Sequence, residues 1–164
     1  MTDFANLADA GRRLAPALAE AVEGLDDPLL LAVLPNGVPV ALGIRETLAI
    51  PVRGLAAERS TDGVVIRPDA TLAGRHVIVV DDGVETGTVA RAAGRALAES
   101  GAESVTLAVP VCSRESMATL QHRYDRIVAL VRPMAHRSLS WHFDDFDTID
   151  EATAVRLLAD LPGE

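Results

Sequence analysis

The chain has 164 residues, 49% hydrophobic and 24% charged, which supports a packed core and excludes global disorder. Its formal net charge is -9 and it holds no dense basic stretch, which argues against a nucleic-acid binder. All 15 basic residues are arginine, so Schiff-base chemistry and lysine-based phosphate loops are excluded.

Cys112 is the only cysteine, so neither an intramolecular disulfide nor a cysteine cluster for zinc is expected. The start, MTDFANLADAGRRLA, lacks a basic segment followed by an apolar run, so no secretory signal is expected. No apolar run approaches the roughly 20 residues of a membrane helix. These features predict a soluble cytoplasmic protein. The length predicts one domain over 1–164, with an N-terminal helix within 1–25 and a C-terminal tail and helix over 136–164.

Along the chain, Phe4, Leu7, Leu14, Leu18 and Val22 recur at helical spacing and predict an amphipathic helix over 4–23. Leu29 to Leu34 is a continuous apolar run, as in a strand buried on both faces. Pro35-Asn36-Gly37 marks a tight loop before a helix over 38–48. A strand is predicted over 50–55, a polar loop over 56–63 and a short edge strand over 63–66. Val77 to Val80 is the plainest strand, four β-favouring residues in a row. An alanine-rich helix follows over 88–99 and stops at Ser100-Gly101. Further strands are predicted over 105–111 and 125–131, with a helix over 113–122 between them. Residues 136–147 read as irregular, and a last helix is expected over 149–161, capped by Asp147 or Thr148. Strands alternating with helices predict an α/β fold, an open and mostly parallel sheet with helices on both faces.

Ligands of such sheets bind beyond the carboxyl ends of the strands. Residues 76–97, HVIVVDDGVETGTVARAAGRAL, run from strand through an acidic pair and a Gly/Thr loop into a helix. The helix start offers unpaired N–H groups at the positive end of the helix dipole, a natural phosphate cradle. Gly87 allows close backbone approach, and Thr86 and Thr88 add hydroxyl donors. Asp81 and Asp82 would repel a phosphate but can accept hydrogen bonds from sugar hydroxyls. A sugar phosphate therefore suits the segment better than a bare anion.

The string Asp81-Asp82-Gly83-Val84-Glu85-Thr86-Gly87-Thr88 resembles the 5-phosphoribosyl diphosphate (PRPP) motif of type I phosphoribosyltransferases. The segments AGRRLA (10–15), VLPNGVPVALGI (33–44), AVPV (108–111) and WHFDDF (141–146) extend the resemblance along most of the chain. The resemblance implies a Mg²⁺-dependent transfer of phosphoribose from PRPP to an acceptor such as a purine-like base. It gives Asp81 and Asp82 the ribose hydroxyls, with Mg²⁺ reached indirectly through PRPP and water. Gly83, Val84, Glu85, Thr86, Gly87 and Thr88 would cradle the 5-phosphate, and Pro35, Asn36 and Gly37 would face the diphosphate. Glu85 stands where relatives acting on 6-oxopurines carry an aspartate, which implies a general-base or acceptor role. Trp141 and Phe143 belong to a C-terminal hood and are candidates for stacking on the base. A homodimer is the expected assembly, and a nucleoside monophosphate the alternative ligand.

Three departures from the family pattern stand out. LPNGV replaces LPRGGV, removing the arginine of the diphosphate loop. Residues 55–64 are too few for the long lid of many relatives. Val89 replaces the last threonine of the motif. Together they admit an alternative, a catalytically weakened PRPP- or nucleotide-binding module. Among replacement cations, Arg59 is better placed than Arg45 or Arg53. Asp144, Asp145, Asp147 and Asp150 lack the spacing of a metal loop and read as a solvated acidic tail. His76, His122 and His136 form no triad or ligand set. Cys112 reads as a small buried hydrophobe.

Overall fold

The computed structural model describes residues 2–135 and 137–162. Helix α1 spans Leu7–Val22, β1 Leu29–Val33, α2 Gly37–Arg45 and β2 Val52–Leu55. Strands β3 (Ala57–Ser60) and β4 (Gly63–Ile66) follow, then β5 (His76–Val80), α3 (Thr88–Glu99) and β6 (Ser104–Val111). Helix α4 (Arg114–Leu120), β7 (Arg126–Val131) and α5 (Glu151–Ala159) complete the chain.

The main sheet has the order β2-β1-β5-β6-β7, and every neighbouring pair is parallel. The chain starts at β1, steps outward to β2, returns to β5 on the other side of β1, and continues outward to β7. The direction of winding reverses between β1 and β5, where an open sheet leaves a crevice at its carboxyl edge.

The central strands are apolar throughout because both faces are covered. Leu30, Ala32, Ile78 and Val80 pack with α1, α2 and α5 on one face. Leu29, Leu31, Val33, Val77 and Val79 pack with α3 and α4 on the other. The alternation follows from the two-residue period of a strand. Each fully buried leucine contributes about 1.5–3 kcal/mol. Helices α1 and α2 cross closely: a Cβ on Gly11 would lie 2.0 Å from the Val40 carbonyl oxygen, and one on Gly43 2.2 Å from that of Ala8. Only glycine permits that backbone approach.

Residues 57–60, expected within a loop, form β3, which pairs antiparallel with β4 in a separate two-stranded hairpin. Strand β4 therefore does not edge the main sheet. Its one buried residue, Ile66, and half-buried Val64 pack with the α3-side core. The polar residues of 57–63 are those of a hairpin whose outer face meets water, and that pattern resembles a loop.

The N-terminal end of the first helix also differs. Phe4 precedes α1 and bridges to Phe143, and the Asp3 and Phe4 N–H groups donate to the His142 carbonyl. The Asp144 and Asp145 N–H groups donate back to the carbonyls of Phe4 and Ala5. Asp150, not Asp147 or Thr148, caps α5 through the Thr153 N–H. Asp147 instead accepts the Leu7 N–H at 3.1 Å and so helps cap α1. Asp144 accepts the Thr2 hydroxyl. The four aspartates of the tail are exposed, as expected of a solvated acidic tail, and Asp144, Asp147 and Asp150 also accept hydrogen bonds.

Candidate functional site

A cleft of about 450 Å³ opens at the carboxyl edge of β1 and β5. Val33, Val79 and Leu107 lie along its strand side, and residues 81–90 supply most of the rest. Leu139, Phe146 and Arg59 complete it.

Asp81 and Asp82 follow β5 directly, so the last hydrogen-bonded residues of that strand fix their position. The Asp82 N–H donates to the Asp81 carboxylate at 2.8 Å. Burial pushes the Asp81 carboxyl well above its ordinary value, and the neighbouring Asp82 charge pushes it further. The Arg59 guanidinium pulls the other way. Burial also raises Asp82. Two desolvated acids beside each other are short of positive partners and of hydroxyl donors, which a bound sugar would supply.

The cradle follows. Gly83 has φ +151°, and a Cβ there would lie 2.5 Å from Leu139 Cδ2. Gly87 is the N-cap of α3 at φ +83°. Among the described residues no side chain caps α3, whereas Asn6, Ser113 and Asp150 cap α1, α4 and α5. The first amides of α3 are therefore left for a ligand in the cleft. The Thr86 and Thr88 hydroxyls lie 3.2 Å apart and face the same cleft. Arg91 is a residue that sequence reasoning passes over. Its Nη1 donates to the Thr86 carbonyl at 3.1 Å, a fastening of the loop from one helical turn on.

Several expectations are relocated. Glu85 borders the cleft, yet its Oε1 accepts the Leu139 N–H at 2.9 Å, so it also holds the C-terminal segment. Pro35, Asn36 and Gly37 do not line the cleft. The Asn36 Oδ1 accepts the Ile149 N–H at 2.9 Å, and Gly37 is pressed against the Val80 carbonyl. The Leu34–Pro35 peptide is cis. Trp141 is 69% exposed and lies outside the cleft, and Phe143 is 4% exposed, stacked between Phe4 and Phe146. Neither lines the cleft. Phe146 is the aromatic residue that does line the cleft. The reason is tertiary: Phe143 is bridged to Phe4 at the other end of the sequence, and its ring is buried between Phe4 and Phe146.

Of the replacement cations, Arg59 reaches the cleft from β3, while Arg53 donates to the Thr71 hydroxyl. The segment too short for a long lid largely forms the hairpin that carries Arg59. Among the described residues no three His, Cys, Asp or Glu side chains gather as a metal cage. His76 meets the Ser104 hydroxyl at 2.6 Å, and His136 lies outside the described residues. Cys112 is buried, with its thiol pushed up to about 11. No helix among the described residues is long and apolar enough to cross a membrane.

The sequence profile of the phosphoribosyl transferase domain matches residues 2–138. An adenine phosphoribosyltransferase of Kineococcus radiotolerans is 35% identical over 114 residues, covering 65% of this chain and 62% of that protein. A longer Mycobacterium tuberculosis protein, named among the phosphoribosyl transferases, is 24% identical over 94% of this chain. The chain spans only 46% of that relative. The crystal structure of TT1426 from Thermus thermophilus superposes with a TM-score of 0.83 at 24% identity, covering 98% and 99% of the two chains. A hypoxanthine-guanine phosphoribosyltransferase of Bacillus anthracis gives 0.57 at 17% identity, covering 75% and 76%. At these identities the structural likeness is one of fold.

Proposed function

The chain belongs to the phosphoribosyl transferase domain family, and from that premise we propose that its cleft binds PRPP and transfers phosphoribose to a base-like acceptor. The observation that carries this reading is the raised, partly buried Asp81–Asp82 pair set directly before a helix start that no side chain caps.

In this reading the two carboxylates accept hydrogen bonds from the ribose hydroxyls. The amides from Glu85 to Thr88, with both threonine hydroxyls, hold the 5-phosphate, while the Val84 amide donates to the Val111 carbonyl and anchors the loop to β6. Arg59 approaches from the hairpin and offers a guanidinium to the diphosphate. Leu139 and Phe146 give the acceptor an apolar wall. A nitrogen of the acceptor attacks C1 of the ribose as its bond to diphosphate breaks, and the departing diphosphate carries away the electron pair. Positive charge grows on the sugar, where Asp81 and Asp82 stabilise it. Glu85 takes the proton of the attacking nitrogen.

The residues present fit Mg²⁺, which favours phosphate oxygens, one or two carboxylates and retained waters over an all-protein cage. Asp81 and Asp82 would hold it through the ribose, the diphosphate and water. When bound, it supplies neutralising charge to the diphosphate.

A second reading rests on Asn36, whose side chain is committed to Ile149 where relatives carry a diphosphate arginine. It makes the domain a binding module for PRPP or a nucleoside monophosphate with weak or no transfer.

Calorimetric titration of PRPP with and without Mg²⁺ tests both. Magnesium-dependent binding is expected, and Asp81→Asn with Asp82→Asn is expected to abolish it while the circular dichroism spectrum stays unchanged. Release of diphosphate on adding bases supports the enzyme. Tight PRPP binding without release from any base supports the module. Undiminished affinity in the double variant would overturn the site.

A further inference from the structure

A second concavity, about 560 Å³, runs between α4 and the outermost strand β7, away from the cleft. Arg114, Met117, Ala118 and Gln121 line it from one face of the helix, at spacings of three and four. Arg126, Ile127 and Arg132 line it from the strand side. The edge thus carries three of the chain's 15 arginines on a protein of net charge -9: Arg114 and Arg132 on the α4 side, and Arg126 with its guanidinium on the α1 face of the sheet. Among the described residues its one carboxylate, Asp125, is engaged by the Val105 N–H at 2.8 Å.

Strand β7 pairs with β6 alone among the described residues, so its other edge offers backbone donors and acceptors to water. The charges follow that edge. Arg114 sits beside Pro133, whose carbonyl accepts the Arg114 N–H. Arg126 lies at the opposite end, where its Nη1 reaches the Ala21 carbonyl at 3.4 Å. Six residues of extended chain separate Arg126 from Arg132, roughly 20 Å. A single phosphate cannot engage charges spread so far, but an extended chain can. On the α4 face Met117, Ala118 and Ile127 provide an apolar floor, and on the other face, beside Arg126 in the two-residue period, Leu130 is exposed, so an added strand meets both charge and apolar surface on each side.

We propose that this edge receives an extended acidic segment of a partner protein, which adds to β7 as a sixth strand with its carboxylates on Arg114, Arg126 and Arg132. The charges disfavour a second copy paired β7 to β7 about a two-fold axis, since arginines would then face arginines. The proposal does not depend on the chemistry of the cleft.

The test uses the full chain and a short, end-blocked peptide repeating Asp-Asp-Val-Val, which puts carboxylates on both faces of an added strand, with a Lys-Lys-Val-Val peptide as control. Fluorescence anisotropy is expected to show binding of the acidic peptide only, weakening as salt rises. Arg114→Glu with Arg126→Glu is expected to weaken it about tenfold or more. Arg114→Gln with Arg126→Gln serves as a milder pair, expected to show a smaller loss in the same direction. Amide exchange is expected to slow in residues 126–131 on binding. Three outcomes would overturn the proposal: protection confined to residues 81–88, equal binding of both peptides, or a peptide-free dimer protected at β7. So would self-association of the glutamine pair without any peptide binding by the parent, which would make the arginines guards of a bare edge.

Discussion

Asp81 shows how a single residue's burial becomes a property that can be measured. Its carboxyl is raised above 3.8 by desolvation and then by Asp82. An acid raised in the folded state binds more protons folded than unfolded, so its contribution is most favourable at acid pH. That contribution is lost as pH rises from the ordinary carboxylate range through the folded value. At pH 7 the raised pair costs stability. Asp81→Asn is therefore expected to raise the melting temperature at pH 7 by a few degrees and to leave it nearly unchanged near pH 3. Scanning calorimetry at the two pH values checks this, and a drop at pH 7 would contradict it. Glu85 holds the Leu139 N–H and is the proposed base, and substitutions separate the two. Glu85→Gln keeps an oxygen for the Leu139 N–H but takes no proton, whereas Glu85→Ala loses both functions. If Glu85 is the base, both variants are expected to lower kcat about 10²-fold or more while PRPP affinity holds in the glutamine variant. Full turnover by Glu85→Gln would leave Glu85 only the task of holding the tail.

At the scale of elements, the hairpin β3–β4 is one short, paired unit packed beside α3. A hairpin is stiffer than an open loop of the same length, so it needs fewer residues to hold one side chain over the cleft. Arg59 is that side chain. Arg59→Ala is expected to weaken PRPP binding by about 1.5–3 kcal/mol, the scale of a hydrogen bond to a charged group, and Arg59→Lys by less. Calorimetry measures both. Equal affinity in all three proteins would remove Arg59 from the diphosphate. The element boundaries most legible in the sequence are those set by local chemistry. Helix α3 occupies the expected 88–99, because the Gly87 turn and the Ser100-Gly101 stop lie within the segment. Strand β3 escapes such a reading because its exposed, polar residues lack the apolar alternation that marks a half-buried strand, whereas β4 forms over the expected 63–66 but pairs in the hairpin.

Across the whole molecule, the two ends of the chain are fastened to each other. Phe4 stacks on Phe143 at 5.5 Å between ring centres, and Phe143 on Phe146 at 5.2 Å. Asp3 meets His142 Nδ1 at 2.8 Å. The fastened tail then lays Leu139 over Gly83 and Phe146 along the cleft. The N-terminal segment thereby shapes a wall of a site that lies far from it in sequence. Phe4→Ala is expected to destabilise the fold by roughly 3 kcal/mol, the cost of emptying a buried aromatic site. It is also expected to speed amide exchange in residues 139–146 ahead of global unfolding. Denaturant melts and exchange measurements check these effects, and uniform exchange across the chain would argue against a tail held from the N-terminus.

The layered α/β plan and the cradle at residues 81–88 are legible without coordinates. Both are written in short stretches: apolar runs for buried strands, an acidic pair at a strand end, and glycine at a helix start. Folding in three dimensions was needed to settle which aromatic faces the cleft, which arginine reaches it and what Asn36 and Asp147 bond to. Those outcomes depend on contacts such as Asp147 with Leu7 and Asn36 with Ile149, between residues 140 and 113 positions apart. Local pattern carries no record of such pairs. They form when the sheet closes and brings both ends of the chain over one edge, so geometry, and not residue type, selects among side chains of equal chemical fitness.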